Sequence, residues 1–564
     1  MRLCFMTTCN LSTRPVSRHR PTQLVADQDA LMRIFIRPES DAAQLTLLKY
    51  MEKILFGLHE FLTRHVGVTQ EISLKELSER FISTTISKHP EKKLADVITD
   101  LIEDIAPHAV NVASPYFVGH MTSALPFFMV HLKTIVAALN QNVIKLETSK
   151  VVSVIEKQVL AKIHRLIYQK NEAFYLEHVQ NPQTSLGCFI EDGTLANITA
   201  LWVARNSFLT DTDRFEGVEK EGLSAAYRAY GIERLVVLVS RLGHYSLKKA
   251  GGVLGIGNRN VIAVEIDAQN RMDLNCLRQK IAEHHDSGEK TRILAVVGIA
   301  GTTETGSVDP LVQMAAICAE HRIHFHVDAA WGGPTLMSDK YRYLLDGIEQ
   351  ADSVTIDGHK QFYMPMTCGM VYFKDPMKLD AIEYHAGYVN RPGSVDLGRK
   401  SLSGSREASS LILDSTLKIM GTQGYALLIE HGIEVARQFA AEIQSRPLFE
   451  MITPPELNIL TYRLFPPTKR ILGRLRLEQG TAEEASGINK QLNAINRKVQ
   501  QLQREAGKSF VSRTTLRVHQ YPGQDIVVFR CVIMNPMTTL DVLREILDEQ
   551  EEIYRQIDNE SVDL

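Results

Sequence analysis

The chain has 564 residues, too many for one simple hydrophobic core, so two or three packed units are expected. Its 44% hydrophobic and 23% charged composition is that of a globular protein, and a net charge of −3 with no dense Lys/Arg cluster argues against a nucleic-acid partner. Seven cysteines, odd in number and scattered without a CxxC pair, indicate a reducing, cytoplasmic setting with neither a disulfide frame nor a zinc knuckle.

Residues 1–30 are rich in Arg, Ser and Thr but lack the apolar run of a secretory signal, and read as a disordered tail. Leu48, Met51, Leu55, Leu58 and Leu62 recur at three- and four-residue steps, which predicts an amphipathic helix over 44–65. A second helical pattern runs from Glu91 to Ile105, so residues 31–110 form a helical N-terminal segment. The longest apolar stretch, Ala124 to Ile144, is interrupted by His131, Lys133, Asn140, Gln141 and Asn142. It predicts a buried helix and not a membrane span.

From 111 to 403, short β-rich runs alternate with helical ones. The strands are Ser185 to Ile190, Leu235 to Val239, Val261 to Val264, Ile293 to Val297, Ile323 to Val327 and Val354 to Ile356. Apolar runs of this length with helices between them predict a mostly parallel sheet with helices on both faces, and a ligand site at the carboxyl ends of the strands. Gly252 to Gly257 resembles a dinucleotide loop only faintly, and it leads into a strand, so it reads as a turn. Residues 404–564 carry a helix from Arg406 to Met420, a strand Leu457 to Leu464, a helix Ala482 to Glu505, a strand Asp525 to Ile533 and a final helix from Thr539. They predict a small C-terminal α+β domain, with Pro466 to Glu483 as a mobile loop.

Four features fall at loop ends of the predicted sheet. Gly193 and Thr194 open the helix Leu195 to Arg205, where free N–H groups and the positive dipole end suit an anion; a simple turn with an N-cap reads equally well. Glu191 and Asp192 sit awkwardly beside an anion. Asp328 ends a strand on the same face as His324 and His326, placed to pair with a protonated ring nitrogen, and the small Ala330 leaves room for a flat ring. A bland alternative makes Asp328 a turn cap, and a metal-hydrolase alternative uses His324, His326 and Asp328 as ligands. Lys360, in Asp357-Gly358-His359-Lys360, follows a buried strand; partial desolvation would lower its ammonium pKa and free a nucleophilic amine, whereas a surface lysine is the default. Gly243-His244-Tyr245-Ser246 offers an imidazole to cover a flat ring.

As a set, these motifs resemble the group II decarboxylases that depend on pyridoxal 5′-phosphate (PLP), a fold-type I family acting on glutamate, cysteine sulfinate or aromatic amino acids. Gly193-Thr194-Leu195-Ala196-Asn197, Gly243 to Ser246, Gly301-Thr302-Thr303, His326 to Trp331, His359-Lys360, Phe529-Arg530 and Asn535-Pro536 carry the resemblance, from about Ser114 to the C-terminal helix. Within the family the chain is most similar to the bacterial enzymes that decarboxylate aspartate at C1. The resemblance implies L-aspartate converted to β-alanine and CO₂ through a Schiff base on Lys360. Glutamate to GABA is the alternative, followed by cysteine sulfinate and aromatic substrates.

The resemblance further implies Asp328 on the pyridine nitrogen and His244 stacked on the ring opposite Ala330. Gly193, Thr194 and His359 would hold the cofactor's phosphate, and Asp357 would also line the cofactor. Thr303 would lie near the phenolic oxygen, and Arg530 would take a substrate carboxylate. Ser403 to Arg406 stands where a partner subunit adds phosphate contacts, which implies a homodimer sharing its sites. Two departures stand out: Asp357 replaces an Asn found in many relatives, and the segment between Tyr388 and Ser401 is shorter than the loop that delivers a catalytic tyrosine in animal relatives. Tyr384 or Tyr388 is then a candidate proton donor, with His244 or Lys360 as the fallback.

Overall fold

The computed structural model describes residues 41–63, 66, 74–286, 290–386, 394–467 and 482–560. The expectations for residues 1–30, Tyr388 and most of the 466–483 loop therefore lie outside the described residues. The described residues form two compact units, one of 41–63 and 74–109, the other of 66 and 110–560. The first is helical: Asp41–Thr63, Leu74–Arg80 and Leu94–Asp100, the last continuing into a π turn, Leu101–Ile105.

The second unit is built on a seven-stranded sheet: β1 Gly187–Ile190, β2 Arg234–Ser240, β3 Val261–Val264, β4 Thr291–Ile299, β5 His324–Asp328, β6 Ser353–Asp357 and β7 Gly369–Phe373. Their order is β1-β7-β6-β5-β4-β2-β3. Strands β3, β2, β4, β5 and β6 pair in parallel, while β7 runs antiparallel to both β6 and β1. Two reversals restore the direction, so β1 ends at the same edge as the parallel strands. The parallel pairing follows from residues that bury both faces: Val236 and Leu238 pack into one cluster, while Leu235, Val237 and Val239 pack into another.

A smaller antiparallel sheet follows: β8 Phe449–Thr453, β9 Ile459–Leu464, β10 Ser512–Leu516 and β11 Ile526–Val532, in the order β10-β11-β9-β8. The helices Ala482–Ala506 and Leu540–Glu560 accompany it. The predicted helix from Arg406 to Met420 begins at Ser409, and Gly421, non-helical at φ +61°, separates it by a kink from a second helical stretch that runs to Ser445. Strands β7, β8 and β10 are absent from the sequence reading. Strand β10 (Ser-Arg-Thr-Thr-Leu) is a polar edge with no apolar run to flag it.

The apolar stretch near 124–144 also differs from expectation. Its helix is only Phe128–Leu139, ended by Asn140 in a left-handed conformation, and it buries just Met129 and Val136. Phe127, Val130, Ile135 and Leu139 stay exposed. Among the described residues, no helix is long and apolar enough to cross a membrane.

Candidate active site

The carboxyl ends of β1, β2, β4, β5 and β6 converge on a cavity of about 340 Å³, within the range that buries a small cofactor. Gly193, Thr194, His244, Thr303, Asp328, Ala330, Asp357, His359, Lys360 and Arg530 all line it, so the ten residues singled out in the sequence meet at one place.

At the end of β1 the helix Gly193–Phe208 begins. Asp192 is its N-cap, accepting the Leu195 N–H at 2.9 Å, and Ser403 donates its hydroxyl to both oxygens of Glu191. The two acids that seemed misplaced are thus a cap and a loop anchor. The N-cap and anion-site readings of Asp192-Gly193-Thr194 coexist, because among the described residues the N–H groups of Gly193 and Thr194 take no acceptor. A Cβ at Gly193 would stand 2.8 Å from Asp357 Oδ2. That oxygen is held at 2.9 Å by Lys360 Nζ and has little room to retreat. Gly193→Ala is therefore expected to weaken PLP binding by roughly tenfold or more while the fold persists, read by titrating apoprotein with PLP. Unchanged affinity would remove Gly193 from the cradle.

Lys360 is largely buried, as expected, and it also has a partner: the buried Asp357 carboxylate, contributed by the last residue of β6. Among the described residues Asp357 Oδ1 has no hydrogen-bond partner, and His359 Nε2 lies 3.8 Å from Oδ2 while its Nδ1 stands 2.7 Å from the Cys368 carbonyl. Asp328 is 5% exposed; Oδ1 accepts the Ala330 N–H at 3.1 Å and Oδ2 accepts the Asn197 amide at 2.8 Å. Its turn-capping and ring-pairing readings are compatible, since two donors leave carboxylate lone pairs facing the cavity.

The metal reading of the β5 face fails for a plain reason. His324 Nε2 and His326 Nδ1 both bond Ser353 Oγ at 2.9 Å, and His326 Nε2 bonds Asn197 Oδ1 at 3.0 Å. Both nitrogens of His326 and Nε2 of His324 are thus taken up in hydrogen bonds, and no group of three metal-ligating residues occurs among the described residues. Burial pushes His326 down to about 4 and holds His324 well below its ordinary value; it also pushes His164 down to about 3. The unfolded chain protonates these rings below 6.5 and the folded protein does not, so stability is complete above that pH and is lost as pH falls toward 4. The thermal unfolding midpoint is expected to drop steeply between pH 6.5 and 4; a flat profile would contradict it.

Arg530 arrives from β11 of the small sheet. Its Nε donates to the Thr303 carbonyl at 2.6 Å, and Nη1 donates to the Gly119 carbonyl at 3.2 Å and the Ser512 hydroxyl at 3.3 Å. Among the described residues Nη2 takes no hydrogen-bond partner, so one arm of the fork remains for a ligand. The segment Phe117–Gly119 is stitched to the small sheet, with Val118 N–H on the Phe510 carbonyl and Val532 N–H on the Val118 carbonyl. This places His120 at the cavity, where burial lowers its pKa and the Arg530 and Lys360 cations add to the effect. Burial also lowers His244, against the pull of Asp328.

The structure adds His120, Met121, Asn197, Tyr245 and Met366 to the lining. Asn197 was visible in its motif but had no role assigned; nothing local marks His120, which tertiary pairing brings in. Tyr384 is 71% exposed and does not line the cavity. Arg406 is buried against Glu156, with Nη1 2.9 Å from Oε2, so this guanidinium is committed within its own chain.

The residues present fit the phosphorylated pyridine expected of the resemblance: unpaired N–H groups at a helix start, a glycine with no room for a Cβ, and a buried carboxylate facing the cavity. Residues 76–465 match the family described as pyridoxal-dependent decarboxylase conserved domain. The chain is 46% identical over 528 residues to aspartate 1-decarboxylase of Aliivibrio fischeri, covering 94% of this chain and 95% of that one. It is 27% identical to the acidic amino acid decarboxylase GADL1 of Mus musculus, over 82% and 78% of the two chains. Among solved structures, mouse CSAD superposes with a TM-score of 0.76 at 23% identity, covering 90% of this chain and 99% of that one. Oryza sativa TDC with PLP and tryptamine gives 0.76 at 17% identity, covering 93% and 100%. At such identities these two speak for the fold alone.

Proposed function

The chain belongs to the pyridoxal-dependent decarboxylase family, and from that membership we propose that it removes the α-carboxylate of L-aspartate, releasing β-alanine and CO₂. The observation that carries the substrate reading is the 46% identity to an aspartate 1-decarboxylase along almost the whole of both chains. The Arg530 guanidinium at the cavity wall agrees with an acidic substrate.

Bound in this cavity, PLP supplies an electron sink for the bonding pair left when the carboxylate departs. Lys360 is assigned as its attachment point and Asp328 as the partner of its ring nitrogen. Gly193, Thr194 and His359 would hold the phosphate, and Asp357 would line the cofactor. His244 and Ala330 bracket the ring, and Thr303 borders it. The free arm of Arg530 takes a substrate carboxylate by a charge-assisted hydrogen bond. Tyr384 is exposed and does not line the cavity, so the proton returned to Cα is assigned to Lys360 Nζ or His244 Nε2, with Tyr388, outside the described residues, as the remaining tyrosine candidate.

A homodimer is part of this proposal. It is supported by the exposed apolar side chains of Phe127, Val130, Ile135 and Leu139, and of Leu45, Leu48 and Phe56 in the helical unit, which a second copy would cover. A cytoplasmic setting is supported by free thiols at Cys188, Cys276, Cys318, Cys368 and Cys531.

The test is a panel of L-aspartate, L-glutamate, L-cysteine sulfinate and L-2,4-diaminobutyrate given to the purified enzyme with added PLP. Released CO₂ and the amine product are both scored. β-Alanine from aspartate should appear with the highest kcat/KM; GABA formed faster from glutamate would overturn the substrate assignment.

A further inference from the structure

Behind the cavity wall runs a chain of hydrogen bonds whose direction can be read throughout. Its inner members are nearly or fully buried: Asn197 is 1% exposed, and Ser246, His326 and Ser353 are 0% exposed. Asn197 Nδ2 stands 2.8 Å from Asp328 Oδ2 and 3.0 Å from Ser246 Oγ, while Asn197 Oδ1 faces His326 Nε2 at 3.0 Å. A carboxylate oxygen only accepts, so the amide must present its NH₂ to Asp328 and its oxygen to His326.

The remaining protons then have one arrangement. His326 donates from Nε2 to Asn197 and accepts at Nδ1 from the Ser353 hydroxyl, which in turn accepts from His324 Nε2. Burial keeps the His326 ring neutral, consistent with one donating and one accepting nitrogen. On the other branch Ser246 accepts from Asn197, so its own hydrogen goes to His244 Nδ1 at 2.8 Å. The Ser246 N–H also points at that nitrogen, at 3.4 Å. The His244 proton is thereby placed on Nε2.

We propose that Asn197 is a positioning residue for catalysis. One amide hydrogen orients Asp328 toward the cofactor's ring nitrogen, the other sets through Ser246 the tautomer of His244, and His326 locks the amide from behind. Outer hydrogen-bond partners of this kind fix the orientation and basicity of the group that touches the ligand. The two jobs share one side chain because the helix Gly193–Phe208 sets Asn197 one turn after the Gly193 anion site, between the ends of β2 and β5. The inference rests on the assignment of Asp328 to the ring nitrogen.

The experiment uses holoenzyme reconstituted with PLP carrying ¹⁵N at the ring nitrogen, and follows that nitrogen's chemical shift with pH alongside kcat and KM. Asn197→Ala should lower kcat on the order of 10–100-fold with KM little changed, and its ring nitrogen should lose the proton at a lower pH than in the parent enzyme. Ser246→Ala should leave the ring nitrogen as in the parent but move the ¹⁵N signals of labelled His244 away from the Nε2–H tautomer. His326→Gln, which keeps a donor toward Asn197, should resemble the parent, whereas His326→Leu should resemble Asn197→Ala. That pair carries the comparison if Asn197→Ala does not fold.

Parent-like ring-nitrogen titration in Asn197→Ala, or a ring-nitrogen change in Ser246→Ala equal to that of Asn197→Ala, would overturn the proposal. Asp328→Ala separates the two layers. If its ring nitrogen stays protonated, the Asp328 assignment falls; if it loses the proton while Asn197→Ala keeps it, only the role of Asn197 falls.

Discussion

A Lys360→Ala enzyme is expected to lose decarboxylation by about 10⁴-fold or more, and to lose the near-visible absorption band of covalently held cofactor while still binding PLP noncovalently. The expectation comes from chemistry and placement together. Among the lining residues Lys360 alone has an amine, it sits three residues beyond β6, and Asp357 holds its Nζ at 2.9 Å at the cavity wall. Removing it takes away both the attachment point and a candidate carrier for the proton at Cα. It also leaves the buried Asp357, already lacking a partner on Oδ1, without its cation. An uncompensated buried carboxylate is costly, so the protein should also melt lower. Retention of both turnover and the absorption band would refute the assignment outright. A lowered melting point with intact turnover would leave Lys360 a structural ion pair only.

The second large effect is expected at Asp328. Asp328→Ala should bind PLP, because the phosphate cradle of Gly193, Thr194 and His359 is separate from it, yet kcat should fall by about 10³-fold, or roughly 4 kcal/mol of barrier. The carboxylate's two anchors, the Ala330 N–H and the Asn197 amide, hold it from behind and leave the cavity side open. Low dielectric around a 5%-exposed group strengthens its hold on a ring proton. Asp328→Asn is the sharper variant: it keeps shape but sets an NH₂ group against a donor. Near-normal kcat in either variant would sink the role.

Much of this was legible beforehand. The apolar runs at Leu235 to Val239 and Ile293 to Val297 could hardly be anything but strands buried on both faces, and a parallel sheet puts its loops, with Asp328 and Lys360, at one edge. Strand β7 escaped notice although Gly369–Phe373 is fully buried, and without it the direction of β1 could not be deduced. The helix at 128–139 was expected to be buried because it is apolar; its exposed face shows that hydrophobicity alone does not say what covers a surface.

The sequence by itself determined which groups the protein can use and in what order they occur. Gly193-Thr194, His244, Asp328 and His359-Lys360 are residue types whose chemistry has few alternatives as a set, and each falls at the end of a recognisable element. Only the tertiary structure decided what each group faces. Lys360 meets Asp357 and not an apolar wall; His324 and His326 turn to Ser353 and away from any metal; Arg530 gives two of its nitrogens to carbonyls and a hydroxyl, and His120 joins it from more than 400 residues earlier. The physical reason is that residue type and local periodicity are properties of short segments. A hydrogen-bond partner, a desolvated charge and a tautomer are settled by atoms that the fold brings within about 3 Å from distant parts of the chain.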